Sequence, residues 1–174
     1  MKPSTNWKNV ERRIAKFLGG QRRGADFSER DGSTQGKDDV IGLPGWSVEI
    51  KHSKHANVAL AVEALDQVDT VYGVVQEQAV PVAIIHKGGL NIVKQSVVCI
   101  RPAVFTKLVR TTKTKISIVP YTRKAPHWSK IVKEINKPPA TDKLPVVLVS
   151  RPDTLLFYAL SLPNFKKHFI DTTK

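Results

Sequence analysis

Residues 36–54 read GKDDVIGLPGWSVEIKHSK, and the reading of this stretch decides the rest. Trp46, Val48 and Ile50 alternate with Ser47, Glu49 and Lys51, which is the period of a strand. One face is apolar and the other presents Glu49 and Lys51 together. Pro44-Gly45 is turn chemistry, so Asp39–Leu43 and Trp46–His52 are expected to form a hairpin that brings Asp39 beside Glu49. Two carboxylates on adjacent strands can converge on one hard cation, which takes oxygen ligands, and the Ile50 carbonyl can complete its shell. Lys51 points to the same side as Glu49, placed to orient a water or to meet negative charge. Phosphodiester hydrolysis asks for such a set: a polarised phosphoryl oxygen, a water that loses its proton, and compensation of developing charge. The bland alternative is a salt-bridge ladder between Asp39, Glu49 and Lys51 on the surface.

Upstream, Trp7, Val10, Ile14, Phe17 and Leu18 recur at helical spacing, with Ser4 to Asn6 as caps and Gly19-Gly20 as a stop. Glu11 shares a side with these apolar residues. An acid beside a core-facing stripe needs a cation to meet, unless it sits exposed at the stripe's edge. If this helix packs on the hairpin, Glu11 supplies a third carboxylate. Gln21 to Lys37 is polar and Gly-rich and reads as a basic strand followed by a mobile loop that holds Ser33. Downstream, Val58, Ala61, Val62, Leu65, Val68, Tyr72 and Val75 mark a long helix. Strands at Val80–His86 and Ser96–Ile100 flank Gly88-Gly89, and Pro102 opens a helix ending near Arg110. The alternation predicts an α/β fold with a mixed central sheet flanked by helices.

The remainder reads as a worn copy of the same grammar. Val146–Val149, Pro152-Asp153, Leu156–Leu160, Pro163 and Phe165 resemble Val82–Ile85, the Gly turn, Ser96–Ile100, Pro102 and Phe105. Ser117–Val119 and a helix over Trp128–Asn136 answer Ser47–Glu49 and Val58–Leu65 at an offset of about 70 residues. In that register Val119 stands for Glu49 and Tyr121 for Lys51, so the copy carries no catalytic groups. Chance recurrence of strand, turn, strand and helix gives the same pattern. The expected division is a core over residues 1–110 and a basic α/β extension over 111–174, joined at TTKTK (111–115).

Charge separates these parts. The chain holds 28 Lys and Arg against 15 Asp and Glu, a net of +13. Residues 1–100 carry 13 basic and 11 acidic groups, whereas 101–174 carry 15 and 4. A cationic back half implies a polyanionic partner, with Arg123-Lys124 and Lys166-Lys167 as candidate phosphate contacts. Other classes are excluded or poorly supported. One cysteine, Cys99, allows no intramolecular disulfide. No apolar run is long enough to span a bilayer. The N-terminus lacks the apolar stretch of a signal peptide, so a cytoplasmic protein is expected. His52 and His55 lack the partners of a zinc site. No GxxxxGK[ST] loop is present, so no nucleotide cofactor is implied. Trp128 fits the core better than a base-stacking role.

The quoted stretch resembles the PD-(D/E)XK nuclease signature, with Asp39 as the motif Asp, Glu49 as the acidic residue and Lys51 as the Lys. The Glu11 helix, the basic Gln21-Arg22-Arg23-Gly24 and Gln67 in the following helix extend the likeness towards the Holliday-junction resolvases of archaea and phages. It covers residues 5 to about 110. The usual Pro before the motif Asp is here Asp38, which leaves Asp38 as a rival ligand, although the spacing to Val40 and Gly42 favours Asp39. The resemblance implies a restriction-endonuclease-like core and a Mg²⁺-dependent endonuclease, Mn²⁺ substituting, that cuts four-way DNA junctions as a homodimer in the cytoplasm, the host's if the chain is phage-encoded. It casts Glu11, Asp39 and Glu49 as ligands, and Arg22, Arg23 and Gln67 as DNA contacts, with Ser33 in the loop as a further candidate DNA contact. Rival readings are a related endonuclease acting on nicked, branched or linear DNA, and a DNA-binding protein that keeps the fold without catalysis.

Overall fold

A computed structural model describes residues 7–23, 39–75, 79–89 and 91–173. Ser33, Asp38 and the stretch expected to form a loop lie outside the described residues. Helix α1 (Trp7–Leu18) buries Val10, Ile14, Ala15 and Leu18, with Glu11 among them. Trp7 departs from the expected stripe. It is 50% exposed, and Arg22 and Lys8 lie over its ring at 5.3 and 5.5 Å, so cations rather than core atoms cover the indole.

Gly19 closes α1 with φ +91°, and the Gly20 N–H donates to the Ala15 carbonyl at 2.9 Å. Gly20 then passes against the next segment so closely that a Cβ would stand 2.7 Å from the Ile41 oxygen and 2.9 Å from Val40 Cγ1. Only glycine permits that approach. Gly20→Ala is therefore expected to cost about 1–3 kcal/mol, the scale of overpacking. Chemical denaturation would check it; an unchanged midpoint would show that the two segments separate freely.

The approach belongs to a small antiparallel pair, β1 (Gln21–Arg22) with β2 (Val40–Ile41). This corrects the expected hairpin. Gly42, at φ +78°, and the turn in which Trp46 N–H donates to the Leu43 carbonyl direct the chain so that β2 pairs with β1 and not along β3 (Trp46–His52). Asp39 still ties this segment to β3, through its N–H to the Val48 carbonyl at 2.9 Å and through its side chain.

The main sheet has six strands in the order β3-β4-β5-β8-β7-β6. Strands β4 (Val80–His86) and β5 (Ser96–Ile100) occupy the expected residues, and β6 (Ile116–Thr122), β7 (Leu144–Arg151) and β8 (Thr154–Ser161) come from the C-terminal stretch. Pairings β3·β4 and β6·β7 are parallel, each requiring a crossover; the three pairings between them are antiparallel. Helix α2 (Val58–Val75) crosses from β3 to β4, and α5 (Trp128–Ile135) from β6 to β7. The others are the short α3 (Ile92–Gln95), α4 (Pro102–Thr112) and α6 (Leu162–Phe165), the last continued by a π-helical turn, Lys166–Ile170.

The order of elements is palindromic about the β5·β8 pair. One row of facing residues runs Glu49, Ala83, Cys99, Ala159, Val147, Val119 across all six strands. Two apolar layers follow the same symmetry. Helices α2 and α5 pack with Ala83, Ile85, Cys99, Val147 and Ala159 on one face. Helices α1, α4 and α6 pack with Val82, Ile84, Val98, Val146 and Leu160 on the other. Phe105 and Phe165 hold matching places after β5 and β8, both fully buried. Helix α1, β1 and β2 have no counterpart, because only residues 113–115 separate α4 from β6. Strand β6 lies bare at this end of the sheet, with Ile118 and Val119 43% and 41% exposed. No helix among the described residues is long and apolar enough to cross a membrane.

Candidate functional site

The site is built where β3 meets the residue that precedes β2. Asp39 Oδ2 accepts the Ile50 N–H at 2.7 Å, which pins the carboxylate to the strand edge between Glu49 and Lys51. Because N–H and C=O of one strand residue leave by the same edge, the Ile50 carbonyl emerges on the Asp39 side. Glu49 Oε1 holds Lys51 Nζ at 2.8 Å. Residues facing one another across a ladder share a face, so Glu49, in the row with Ala83 and Cys99, projects to the side of the sheet that carries α2 and α5.

Asp39 shows what this crowding costs. Burial, together with the nearby Glu49 and Glu11 charges, lifts its pKa from 3.8 to about 7, against the lowering effects of the Ile50 N–H and Lys51. Burial also raises the Glu11 pKa, with Arg22 opposing it. Three acids thus press on one another around Asp39. A cation relieves that repulsion, and the available donors (Asp39, Glu49, the Ile50 carbonyl) are the hard oxygens that Mg²⁺ accepts. These residues fit such an ion. They are not a closed cage: the described residues hold no ready-made group of three His, Cys, Asp or Glu ligands.

Glu11 is placed differently from the others. It is buried on α1, and Arg22 Nε donates to its Oε2 at 2.6 Å. Arg22 is thereby drawn from the candidate phosphate contacts into the site's interior. Removing it by Arg22→Ala would leave a buried carboxylate alone, at an expected cost of about 3 kcal/mol at pH 8. The loss should shrink at a lower pH, as Glu11, whose pKa burial raises, takes up a proton. Urea melts at the two pH values would show this, and a pH-independent loss would mean that Arg22 acts by packing.

The remaining sequence candidates are dispersed. The Arg23 backbone N–H donates to the Asp39 carbonyl at 2.9 Å, extending the β1–β2 clamp. Gln67 is exposed on α2 and reaches Glu63 at 3.4 Å, with no hydrogen bond to Asp39, Glu49 or Lys51. Arg123 lies over the Tyr121 ring at 6.0 Å, with exposed Lys124 beside it in sequence. Lys166 pairs with Asp171 at 3.6 Å and covers Phe17, and Lys167 is exposed on the same turn. The last two belong to the opposite face of the sheet from Glu49.

Sequence reading missed two features. His86 is buried, hydrogen-bonded to Ser96 and the Gly89 carbonyl, and stacked on His52 at 5.5 Å; burial lowers its pKa. Arg101 clamps Asp66 and Asp69 of α2, which fixes the helix behind β3. Both rest on long-range pairings that no local pattern announces. Comparisons with protein families, with curated proteins and with solved structures return no match for this chain.

Proposed function

We propose that the chain is a Mg²⁺-dependent DNA endonuclease with a restriction-endonuclease-like core, acting on four-way junctions. The observation that carries this is Asp39, held against the Ile50 N–H while burial, with the Glu49 and Glu11 charges, pushes its pKa to about 7. A buried acid kept beside two others is a standing cost that a bound cation turns into binding energy. The motif residues of the resemblance meet at that point. Mg²⁺ on Asp39, Glu49 and the Ile50 carbonyl supplies Lewis-acid polarisation of a phosphoryl oxygen, and Mn²⁺ can take its place. Lys51, steered by Glu49 at 2.8 Å, orients the attacking water and faces the charge that develops on the phosphate. Glu11 and Arg22 set the field around Asp39. The second half of the sheet presents Val119 and Tyr121 at the matching positions, so the described residues of one chain offer one such centre. Symmetric cutting of a junction takes two, which makes a homodimer part of the reading.

The test is a panel of end-labelled DNAs of equal length, in Mg²⁺, at protein excess: four-way junction, nicked duplex, intact duplex and single strand. Paired cuts in the junction at a rate well above the others support the proposal. Preferential cutting of nicked or intact duplex would keep the nuclease and replace its substrate. Binding without cutting on every DNA would leave a non-catalytic DNA-binding protein.

A further inference from the structure

The row from Glu49 to Val119 relates the two halves residue by residue. Ladder positions make Val119 the counterpart of Glu49 and Tyr121 that of Lys51, each pair projecting to the α2/α5 face. Six strands put these two places about 24 Å apart on one face of the sheet. The surroundings have changed sign between them. Behind β3, helix α2 exposes Glu63, Asp66 and Gln67. Behind β6, helix α5 exposes Lys130 and Lys133, one turn apart, and the connection into it exposes Arg123 and Lys124. The connection is held in place. The Arg123 N–H donates to the Ser150 carbonyl at 3.1 Å, and the His127 N–H donates to the Tyr121 hydroxyl at 3.0 Å.

None of Arg123, Lys124, Lys130 and Lys133 has a carboxylate partner among the described residues; Glu134, the acid on α5, is taken by Lys137 at 2.6 Å. Four exposed cations on one helix and the connection that leads into it, without carboxylate partners, attract a polyanion. Arg123 over Tyr121 also gives a flat, cationic surface of the kind that lies against a sugar–phosphate backbone. We infer that this half of the sheet is a phosphate-binding surface for duplex DNA, one that holds an arm of the substrate while the Asp39 centre on the same face acts on another part of it. The inference rests on the nuclease reading for the identity of the substrate. It also separates the two basic clusters of the C-terminal half. Lys107, Arg110, Lys113 and Lys167 belong to elements on the opposite face and take no part.

The experiment compares two fourfold alanine variants: Arg123, Lys124, Lys130 and Lys133 in one, Lys107, Arg110, Lys113 and Lys167 in the other. All eight residues are exposed, and circular dichroism confirms folding of each variant. Affinity for a four-way junction and a plain duplex is measured over a salt series in Ca²⁺, while wild-type cleavage in Mg²⁺ is measured separately. The expected result is a loss of at least tenfold on both DNAs for the first variant. Its log–log salt slope should fall by about 3 to 4, at roughly 0.9 per phosphate contact. The second variant should stay within about threefold of wild type. Equal losses in the two variants, or a larger loss in the second, would overturn the inference. Wild-type protein that binds these DNAs but cuts none would instead count against the nuclease reading, and leave the surface standing on the binding data.

Discussion

Asp39→Ala, Glu49→Ala and Lys51→Ala should each lower the single-turnover rate of junction cleavage in Mg²⁺ by about 10²- to 10³-fold, the scale on which one oriented charge-stabilising group acts. The groups differ in what they do, and the variants should differ accordingly. Losing Asp39 removes an oxygen donor and the acceptor of the Ile50 N–H, while the backbone bond from residue 39 to the Val48 carbonyl remains. Losing Glu49 removes a donor and frees Lys51, which it holds at 2.8 Å. Losing Lys51 leaves the oxygen donors in place, so raising the Mg²⁺ concentration should not rescue it. Binding in Ca²⁺ should be nearly unchanged in all three, because phosphate contacts, not these groups, supply affinity. A Glu49→Ala protein that cuts within tenfold of wild type would remove Glu49 from the site.

The second large effect is on stability, and its sign follows from the Asp39 pKa. In the metal-free folded chain the group keeps its proton up to about pH 7, whereas in the unfolded chain it releases it near 3.8. Between those values the folded state binds more protons, so this group's contribution to stability falls as pH rises. Above pH 7 the deficit is complete, on the order of 4 kcal/mol. Asp39→Asn removes the ionisation while its side-chain oxygen still accepts from Ile50. The variant should therefore be more stable than wild type at pH 8, and the advantage should vanish towards pH 4. Mg²⁺ reverses the order by binding the ionised form: millimolar metal should raise the wild-type melting temperature at pH 8 and shift the variant much less. Thermal melts at pH 4, 6 and 8, with and without Mg²⁺, give the whole matrix. Parallel pH curves for the two proteins, or equal metal shifts, would mean that Asp39 does not carry this charge.

Much of the site could be read in advance, because its signals are local. The alternation in Trp46–Lys51 fixed which side chains share a face, and β4 and β5 fall where continuous apolar runs bounded by Pro and Gly place them. The unusual position of Glu11 within an apolar stripe announced a buried acid that needed a cation, which Arg22 provides. What local pattern cannot carry is partner choice. Pro44-Gly45 signals a turn, but whether the strand before it pairs forward or backward depends on Gly20, which lets β1 close onto β2. The offset between Ser47–Glu49 and Ser117–Val119 was visible in the sequence. That the two stretches end one continuous sheet was not, since it depends on β5 and β8 pairing at Cys99 and Ala159, sixty positions apart.

The central claim is that this chain uses Asp39, Glu49 and Lys51 with a divalent ion to cut DNA. One gel tests it most directly: a labelled four-way junction with wild-type protein in Mg²⁺, Mn²⁺ or EDTA, and with Glu49→Ala from the same purification in Mg²⁺. Cut products are predicted in the two metal lanes of the wild type and in neither of the other lanes. Cutting in EDTA, cutting by Glu49→Ala, or an intact junction throughout would contradict the claim.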